Sequence, residues 1–476
     1  MSKVDVLVRG GEVVSSAGVQ RLDIAIDGGR IVALGQDIGA EARETVDAAG
    51  CLVLPGVVDA HTHPVYADDI ERTSAAGAAA GVTTLLAYVG AFPSWGFEKA
   101  AVHEVVSRVI EDWQGRPVGD FGLHVAFDSV DDVAAEVPRL TELGVSSYKF
   151  FLAYRKRGMM VDDRALLAGM TAIAQAGGIV AVHAENGDGI DHLESQYWDR
   201  PDLPDSAFLA CRGHLLEAEA ILRVIALAQT TGVALYIPHV AAGSGMEVVE
   251  LARRTSGVPV WIETCPHYLV LTNDEVLQHG ALGKIAPPLR HDSDRESLWD
   301  AVAAGGVQVV GTDHAGRTRA MKAEGVNILQ APFGAEGIEH LLPLVYGLGV
   351  RTGRLGIERM VQVLSENPAD IFGLSPRKGR IAVGADADLV LLDPGGTTRC
   401  AAEDHLGASD YCLYEGIELP GAVRRTIRRG VTIAVDGALV PGVSGGEYLA
   451  RSGFHVRPIP RIDEVCDDLR EIEVVP

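Results

Sequence analysis

Cysteine is scarce in this chain and follows no pairing pattern. Six occur among 476 residues, at Cys51, Cys211, Cys265, Cys400, Cys412 and Cys466, and none forms a Cys-x-x-Cys unit. That scatter argues against a disulfide framework and against a thiolate zinc site, and fits a reducing cytoplasm. Positive charge is also in short supply: 41 Lys and Arg stand against 65 Asp and Glu, a formal net charge of −24. So acidic a chain repels phosphate backbones and anionic lipid, which excludes nucleic-acid and membrane-surface roles from the expected functions. No run approaches the roughly 18 uninterrupted apolar residues of a membrane span. The opening Met1-Ser2-Lys3-Val4-Asp5 mixes charged and apolar residues and signals neither secretion nor an anchor. Low-complexity tracts and long internal repeats are missing too.

What is present is 47% apolar residues, enough for a sizeable core. Residues 4–54 alternate apolar and polar side chains between glycine turns, which predicts several short antiparallel strands. After Pro55-Gly56 the rhythm becomes strand then helix. Strands are predicted at 82–88, 122–127, 145–151, 179–182, 233–238, 258–263 and 307–312, with helices including 100–113, 163–176, 217–230 and 295–304. With the run 52–59 the strand count is about eight, the number that closes a (β/α)8 TIM-like barrel. Beyond Gly379 short strands return at 387–392, 423–428 and 432–435. The two flanking β regions predict a small discontinuous β-sandwich: residues 1–54 plus 380–445, interrupted by a catalytic barrel over 55–379. Residues 446–476 read as a C-terminal tail in which Phe454, Val456 and Ile459 could dock on a neighbouring subunit.

Six side chains that divalent metals favour share one position. His61, His63, Lys149, His183, His239 and Asp313 each lie in or just past the end of an apolar strand candidate. A parallel barrel brings those ends to one face, where its chemistry sits. His61 and His63 leave an extended backbone on the same side and can reach one ion. Lys149 interrupts a strand otherwise suited to burial, where an ammonium tends to lose its proton. A neutral amine there can take up carbon dioxide as a carbamate; a lysine whose head reaches a carboxylate is the other reading. Asp313 could equally cap a helix. His124 is expected in the core, and His267 and His314 are candidates to orient ligands from behind. The remaining histidines, His103, His192, His214, His279, His291, His340, His405 and His455, are expected at the surface. Arg155, Arg157, Arg317 and Arg319 are read as solvated loop residues, with attraction of an acidic ring substituent as the alternative.

In combination these residues resemble the amidohydrolase superfamily, in its cyclic-amidase branch of dihydropyrimidinases and hydantoinases. The resemblance is carried by Pro55-Gly56-Val57-Val58-Asp59-Ala60-His61-Thr62-His63, Tyr148-Lys149-Phe150-Phe151-Leu152-Ala153-Tyr154, Val182-His183-Ala184-Glu185-Asn186, Glu263-Thr264-Cys265-Pro266-His267-Tyr268, Ala286-Pro287-Pro288-Leu289-Arg290 and Gly311-Thr312-Asp313-His314. It covers nearly the whole chain. It implies two zinc ions, with His61, His63 and Asp313 on one, His183 and His239 on the other, and N6-carboxylated Lys149 bridging them. It also implies a zinc-supplied hydroxide attacking a cyclic amide, Asp313 moving the proton, and Tyr154 donating to the oxyanion. A small cyclic amide substrate and a homo-oligomer, tetramer or dimer, follow from the same resemblance.

Dihydroorotases place an arginine soon after the His-x-His pair, whereas Pro64-Val65-Tyr66-Ala67 follows here. Three departures from the branch bear on specificity. The segment between His63 and Asp68-Asp69 is short, Phe333 stands where asparagine is common, and Ala286 where serine is common. Both of those positions meet substrate largely through backbone groups. Allantoinases share the metal frame and are the competing enzyme reading; relatives that have lost ligands serve as non-catalytic assembly proteins, and this chain keeps all six.

Overall fold

The structure is a computed structural model and describes residues 3–128, 133–254 and 257–453. Eight parallel strands lie side by side in chain order: Val57–Thr62, Val82–Val89, Asp120–Ala126, Ser147–Phe151, Ile179–His183, Ala234–Ile237, Val260–Thr264 and Val309–Val310. Helices between them, among them Val102–Trp113, Asp163–Gln175, His214–Thr231 and Asp292–Ala304, cover the outer face. This is the near-closed TIM-like barrel expected from the strand–helix alternation. Helix starts are set locally; Asp162, for instance, caps Asp163–Gln175 by accepting from the Ala165 amide at 2.8 Å.

The last strand is shorter than its apolar run predicts. After Val310 the backbone turns out of the ladder, and the seam with the first strand is held by a side chain instead. Asp59 accepts from Thr312 N at 3.0 Å and from Thr312 Oγ1 at 2.5 Å, and Thr62 bridges His314 in parallel. Burial pushes the Asp59 carboxyl up to about 6 despite those donors.

Two further sheets pack face to face at the side of the barrel. One has the order Arg30–Gly35, Asp23–Asp27, Val4–Arg9, Ala42–Asp47. The other runs Ala438–Leu439, Val431–Val435, Glu418–Arg428, Leu389–Arg399, Leu52–Pro55, Glu12–Ser15, Gly18–Arg21. The second sheet therefore mixes strands from both ends of the chain. Val6, Val8, Ile24, Ile26, Val53, Leu389, Leu391 and Ile427 fill the space between the sheets. They are alternate residues of their strands, as the period of two requires.

The single apolar run 52–59 belongs to both layers. Leu52–Pro55 pairs with Leu389–Arg399, and Val57–Thr62 with Val82–Val89. Gly56 makes the crossing, because a Cβ there would collide with Thr83 and come within 2.9 Å of the Asp388 Cβ. Nearby, buried Lys378 ties the barrel to the sandwich, donating to Asp120 at 2.6 Å and Asp388 at 2.7 Å and pairing with Asp386 at 3.0 Å.

Residues 446–453 lie on their own barrel. Phe121 N donates to Glu447 O at 2.9 Å, Leu449 N to Phe121 O at 2.7 Å, and Leu449 and Arg451 are buried. Phe454, Val456 and Ile459, the residues read as able to dock on a neighbour, are outside the described residues. Among the described residues no helix is long and apolar enough to cross a membrane.

Candidate metal centre

Five of the eight barrel strands deliver the six candidate ligands to one end of the barrel. His61 lies in the first strand and His63 just past it, Lys149 is within the fourth, and His183 ends the fifth. His239 follows the sixth by two residues and Asp313 follows the eighth by three. His61 Nε2 lies 3.2 Å from His63 Nε2, and the two stand 3.1 and 3.0 Å from Asp313 Oδ1. His183 Nδ1 lies 3.1 Å from His239 Nε2. The His61 and His239 rings, 5.3 Å apart, join the two groups.

These spacings suit shared metal ions. Two nitrogens bound at about 2.0–2.1 Å to one tetrahedral ion are roughly 3.3 Å apart, so each histidine pair already holds its nitrogens at ligand spacing. Carboxylates behind the histidines select which nitrogen points inward. His61 Nδ1 donates to Glu263 Oε1 at 2.7 Å, leaving Nε2 free to ligate. His183 Nε2 donates to Glu185 Oε2 at 2.7 Å, leaving Nδ1. Glu263 also accepts from His239 N at 3.0 Å and from Tyr236 OH at 2.7 Å, so one carboxylate sets two candidate ligands.

Charge at the site follows from burial and these partners. Burial opposes the charged form of His61, but Glu263 and Asp313 outweigh it and lift the ring to about 9. Burial holds His63 down at about 4. The Asp313 carboxyl, against its burial, is held well below the usual carboxylate range by His61 and His63. Glu185, also against burial, is brought to about 2 by Arg212, which donates to it at 2.6 Å, and by His183. A metal ion entering this site must displace the His61 proton.

Lys149 is 1% exposed, and its Nζ has no hydrogen-bond partner. It sits 5.2 Å from the Tyr88 ring centroid and 5.3 Å from that of Phe151. Burial lowers it to about 8, against the pull of Asp313 and Glu263. The alternative reading, a lysine head reaching a carboxylate, is not what the side chain does: among the described residues no carboxylate oxygen pairs with Nζ.

Among the described residues, three of the six non-glycine residues with positive φ are candidate site residues: Tyr154 at 72°, His239 at 47° and Asp313 at 48°. Such conformations are costly for residues other than glycine and concentrate where function over-determines the backbone. Nothing in the sequence pattern forecasts them.

A pocket lies above the metal-favouring cluster, and all six candidate ligands line it. Tyr154, Ala286 and Phe333, the predicted substrate contacts, all line it, together with Tyr66, Trp95 and Arg157. Tyr154 lies with its ring 4.7 Å from that of His183 and 5.4 Å from Phe333. Burial drives its hydroxyl well above the usual phenol value, so it stays a proton donor.

Several expectations change. His340 is buried rather than superficial, 3.2 Å from His405 Nε2 and 3.5 Å from Cys412 Sγ, because the turn Ile338–His340 packs beneath the loop that carries the other two. Arg317 is 7% exposed, not solvated. His314 pairs with Asp68 at 3.1 Å and supports the site only through its carbonyl, which accepts from His63 N at 2.8 Å. His267 has a buried, unpartnered Nε2 and bonds no candidate ligand side chain. His124 is a satisfied core residue, as expected, with Ser147 at 2.6 Å and Ala60 O at 3.1 Å. His455 is outside the described residues. The orienting roles of Glu263 and Glu185 were missed. Glu263 carried a usable signal, a carboxylate closing an apolar strand, as the ligand candidates do.

Glu263→Gln is expected to weaken metal binding by about 10–100-fold while preserving the fold, because it keeps the volume and loses the orienting charge. Competition of the purified variant against a chelator of known affinity checks this.

Comparisons with known proteins agree with the geometry. The family model "Amidohydrolase family" matches residues 158–433. A D-hydantoinase of Ralstonia pickettii is 34% identical over 469 residues, covering 95% of this chain and 100% of the relative. The solved D-hydantoinase of Bacillus sp. AR9 superposes with a TM-score of 0.89 at 33% identity, covering 94% of this chain and 100% of that one. The dihydropyrimidinase of Brevibacillus agri NCHU1002 gives a TM-score of 0.89 at 31% identity, covering 94% and 99%. The chain therefore belongs to the amidohydrolase family, in its hydantoinase and dihydropyrimidinase branch, and is a cyclic amidohydrolase.

Proposed function

We propose that the protein opens a hydantoin or dihydropyrimidine ring by hydrolysing a cyclic C–N bond at a centre of two zinc ions. His61, His63 and Asp313 would hold one ion and His183 and His239 the other, with Lys149, carboxylated on Nζ, as a ligand common to both. The observation that carries this reading is the unpartnered Lys149 Nζ, buried among inward-facing ring nitrogens and a carboxylate. As an amine the group is uncompensated there. As a carbamate, formed with carbon dioxide and release of a proton, it becomes an anionic oxygen donor in a set that otherwise offers four neutral imidazoles and one carboxylate.

When bound, the ions supply hydroxide at neutral pH and polarise the amide carbonyl. The chain's own residues do the rest. Asp313 takes the proton from the attacking water and returns it to the departing ring nitrogen. Tyr154 donates to the oxygen on which charge develops. Trp95, Tyr66 and Phe333 enclose the ring, while Glu263 and Glu185 keep the histidines in register. Water adds across the C–N bond, giving an N-carbamoyl amino acid from a hydantoin or a ureido acid from a dihydropyrimidine. A reducing cytoplasm and a homo-oligomer complete the reading.

Zinc-loaded protein assayed on dihydrouracil, 5-substituted hydantoins, allantoin and simple cyclic imides is expected to open the first two classes. Turnover of allantoin alone would transfer the assignment to an allantoinase, and turnover of none would refute it.

A further inference from the structure

In a chain of net charge −24, five basic side chains gather around one pocket residue, Phe333: Arg212, whose Cζ lies 4.8 Å from the ring centroid and which is paired with Glu185, and four others. Lys284 Nζ lies 4.0 Å from its ring centroid and Arg157 Cζ 4.8 Å, while Arg317 Nε donates to its carbonyl at 3.2 Å. Lys322 Nζ donates to the flanking Pro332 and Gly334 carbonyls at 3.1 and 2.8 Å. Among the described residues none of the four has a carboxylate oxygen within 4.0 Å. Their neighbours do. Arg155 pairs with Asp191 at 3.1 Å, Lys156 with Glu194 at 3.3 Å and Arg212 with Glu185 at 2.6 Å.

The two lysines are satisfied without an anion. Lys284 donates to the Leu329 and Ala331 carbonyls at 2.9 and 2.6 Å, and burial with the surrounding cations pushes both amines well below their usual value. Arginine stays charged: Arg157 is exposed to water, whereas Arg317 lies largely buried. Arg317 is 7% exposed, stacks 3.6 Å from the Tyr66 ring centroid and donates through Nε to the Phe333 carbonyl. Burial, and to a lesser degree the repulsion of Arg157, disfavours its charge. Tyr66, Phe333 and Arg157 all line the pocket. A buried cation without a counter-charge is costly, and the cost is relieved when an anion arrives.

We infer that the ring substituent of the substrate ends in a carboxylate, received at the pocket rim between Arg157 and Arg317. This rests on the cyclic-amidase reading and narrows it. Phe333 stands one aromatic ring beyond Tyr154, which itself packs on His183. A 5-carboxymethyl or 5-carboxyethyl hydantoin carries such a substituent. Phe333 thus serves as the surface over which the substituent reaches the arginines.

The test pairs 5-(carboxyethyl)hydantoin with its carbamoylethyl isostere, equal in shape and uncharged. Binding by calorimetry and turnover are measured separately on zinc-loaded protein. The carboxylate is expected to bind about tenfold or more tightly at low salt, as charge-assisted hydrogen bonds imply, and the advantage should shrink as salt rises. Arg157→Gln and Arg317→Gln should each lower the ratio of carboxylate to isostere affinity, which is read as a ratio so that any change common to both compounds cancels. An affinity ratio near one in the native protein, or a ratio that survives the double variant, overturns the inference. Loss of ring opening for both compounds with the affinity ratio intact counts against the amidase reading and not against the anion site.

Discussion

Lys149→Ala is expected to release metal and to abolish ring opening, with turnover falling by on the order of a thousandfold or more. The magnitude follows from what the ions supply. Their stabilisation of developing charge amounts to several kcal/mol, and each 1.36 kcal/mol is a factor of ten in rate. The fold should survive, because the change removes a buried amine that has no hydrogen-bond partner. A carboxylate role also predicts chemical rescue: acetate or propionate, small enough to enter the space vacated by the side chain, should restore part of both metal content and turnover. A lysine that only filled volume would show neither the metal loss nor the rescue. Elemental analysis of the purified variant, read beside its circular dichroism, separates these outcomes.

Tyr154→Phe is expected to lower kcat by about 10²–10³ while metal content stays at the native level, the loss typical of one oxyanion donor. Burial keeps the Tyr154 hydroxyl protonated across the working pH range, so it has a proton to donate to the substrate. Its backbone at φ 72° aims the ring across the pocket, and the conservative change leaves that conformation and the packing on His183 and Phe333 in place. The effect should therefore fall on kcat more than on KM. An unchanged kcat would remove Tyr154 from the chemistry.

Much of this architecture was legible because it is periodic. Strand and helix alternate from Gly56 onward, and metal-favouring residues recur at the ends of the apolar runs, so position alone singled out His61, Lys149, His183, His239 and Asp313. Where periodicity fails, the reading was incomplete. The strand Leu389–Arg399 extends well past Leu392, because Pro394-Gly395-Gly396 sits within it and reads as a turn. Val309–Val310 is shorter than its apolar run, since Asp59 takes over the hydrogen bonds that a longer ladder would make. The burial of His340 and Arg317 depends on loops meeting across the barrel rim, and neither loop has a repeating pattern. Glu263 and Glu185 stand in the motifs, but their orienting roles do not follow from sequence alone; of the two only Glu263, which closes an apolar strand as the ligand candidates do, carries a positional signal. Positive φ at His239 and Asp313 has no sequence signature at all.

The central claim is that Lys149 is a carbamate shared by two ions, and carbon-13 NMR of protein loaded with zinc in labelled bicarbonate tests it most directly. A carbamate resonance that is present in the native protein and missing from Lys149→Ala is the predicted result. A native protein that binds two ions and opens rings yet shows no carbamate carbon would contradict it.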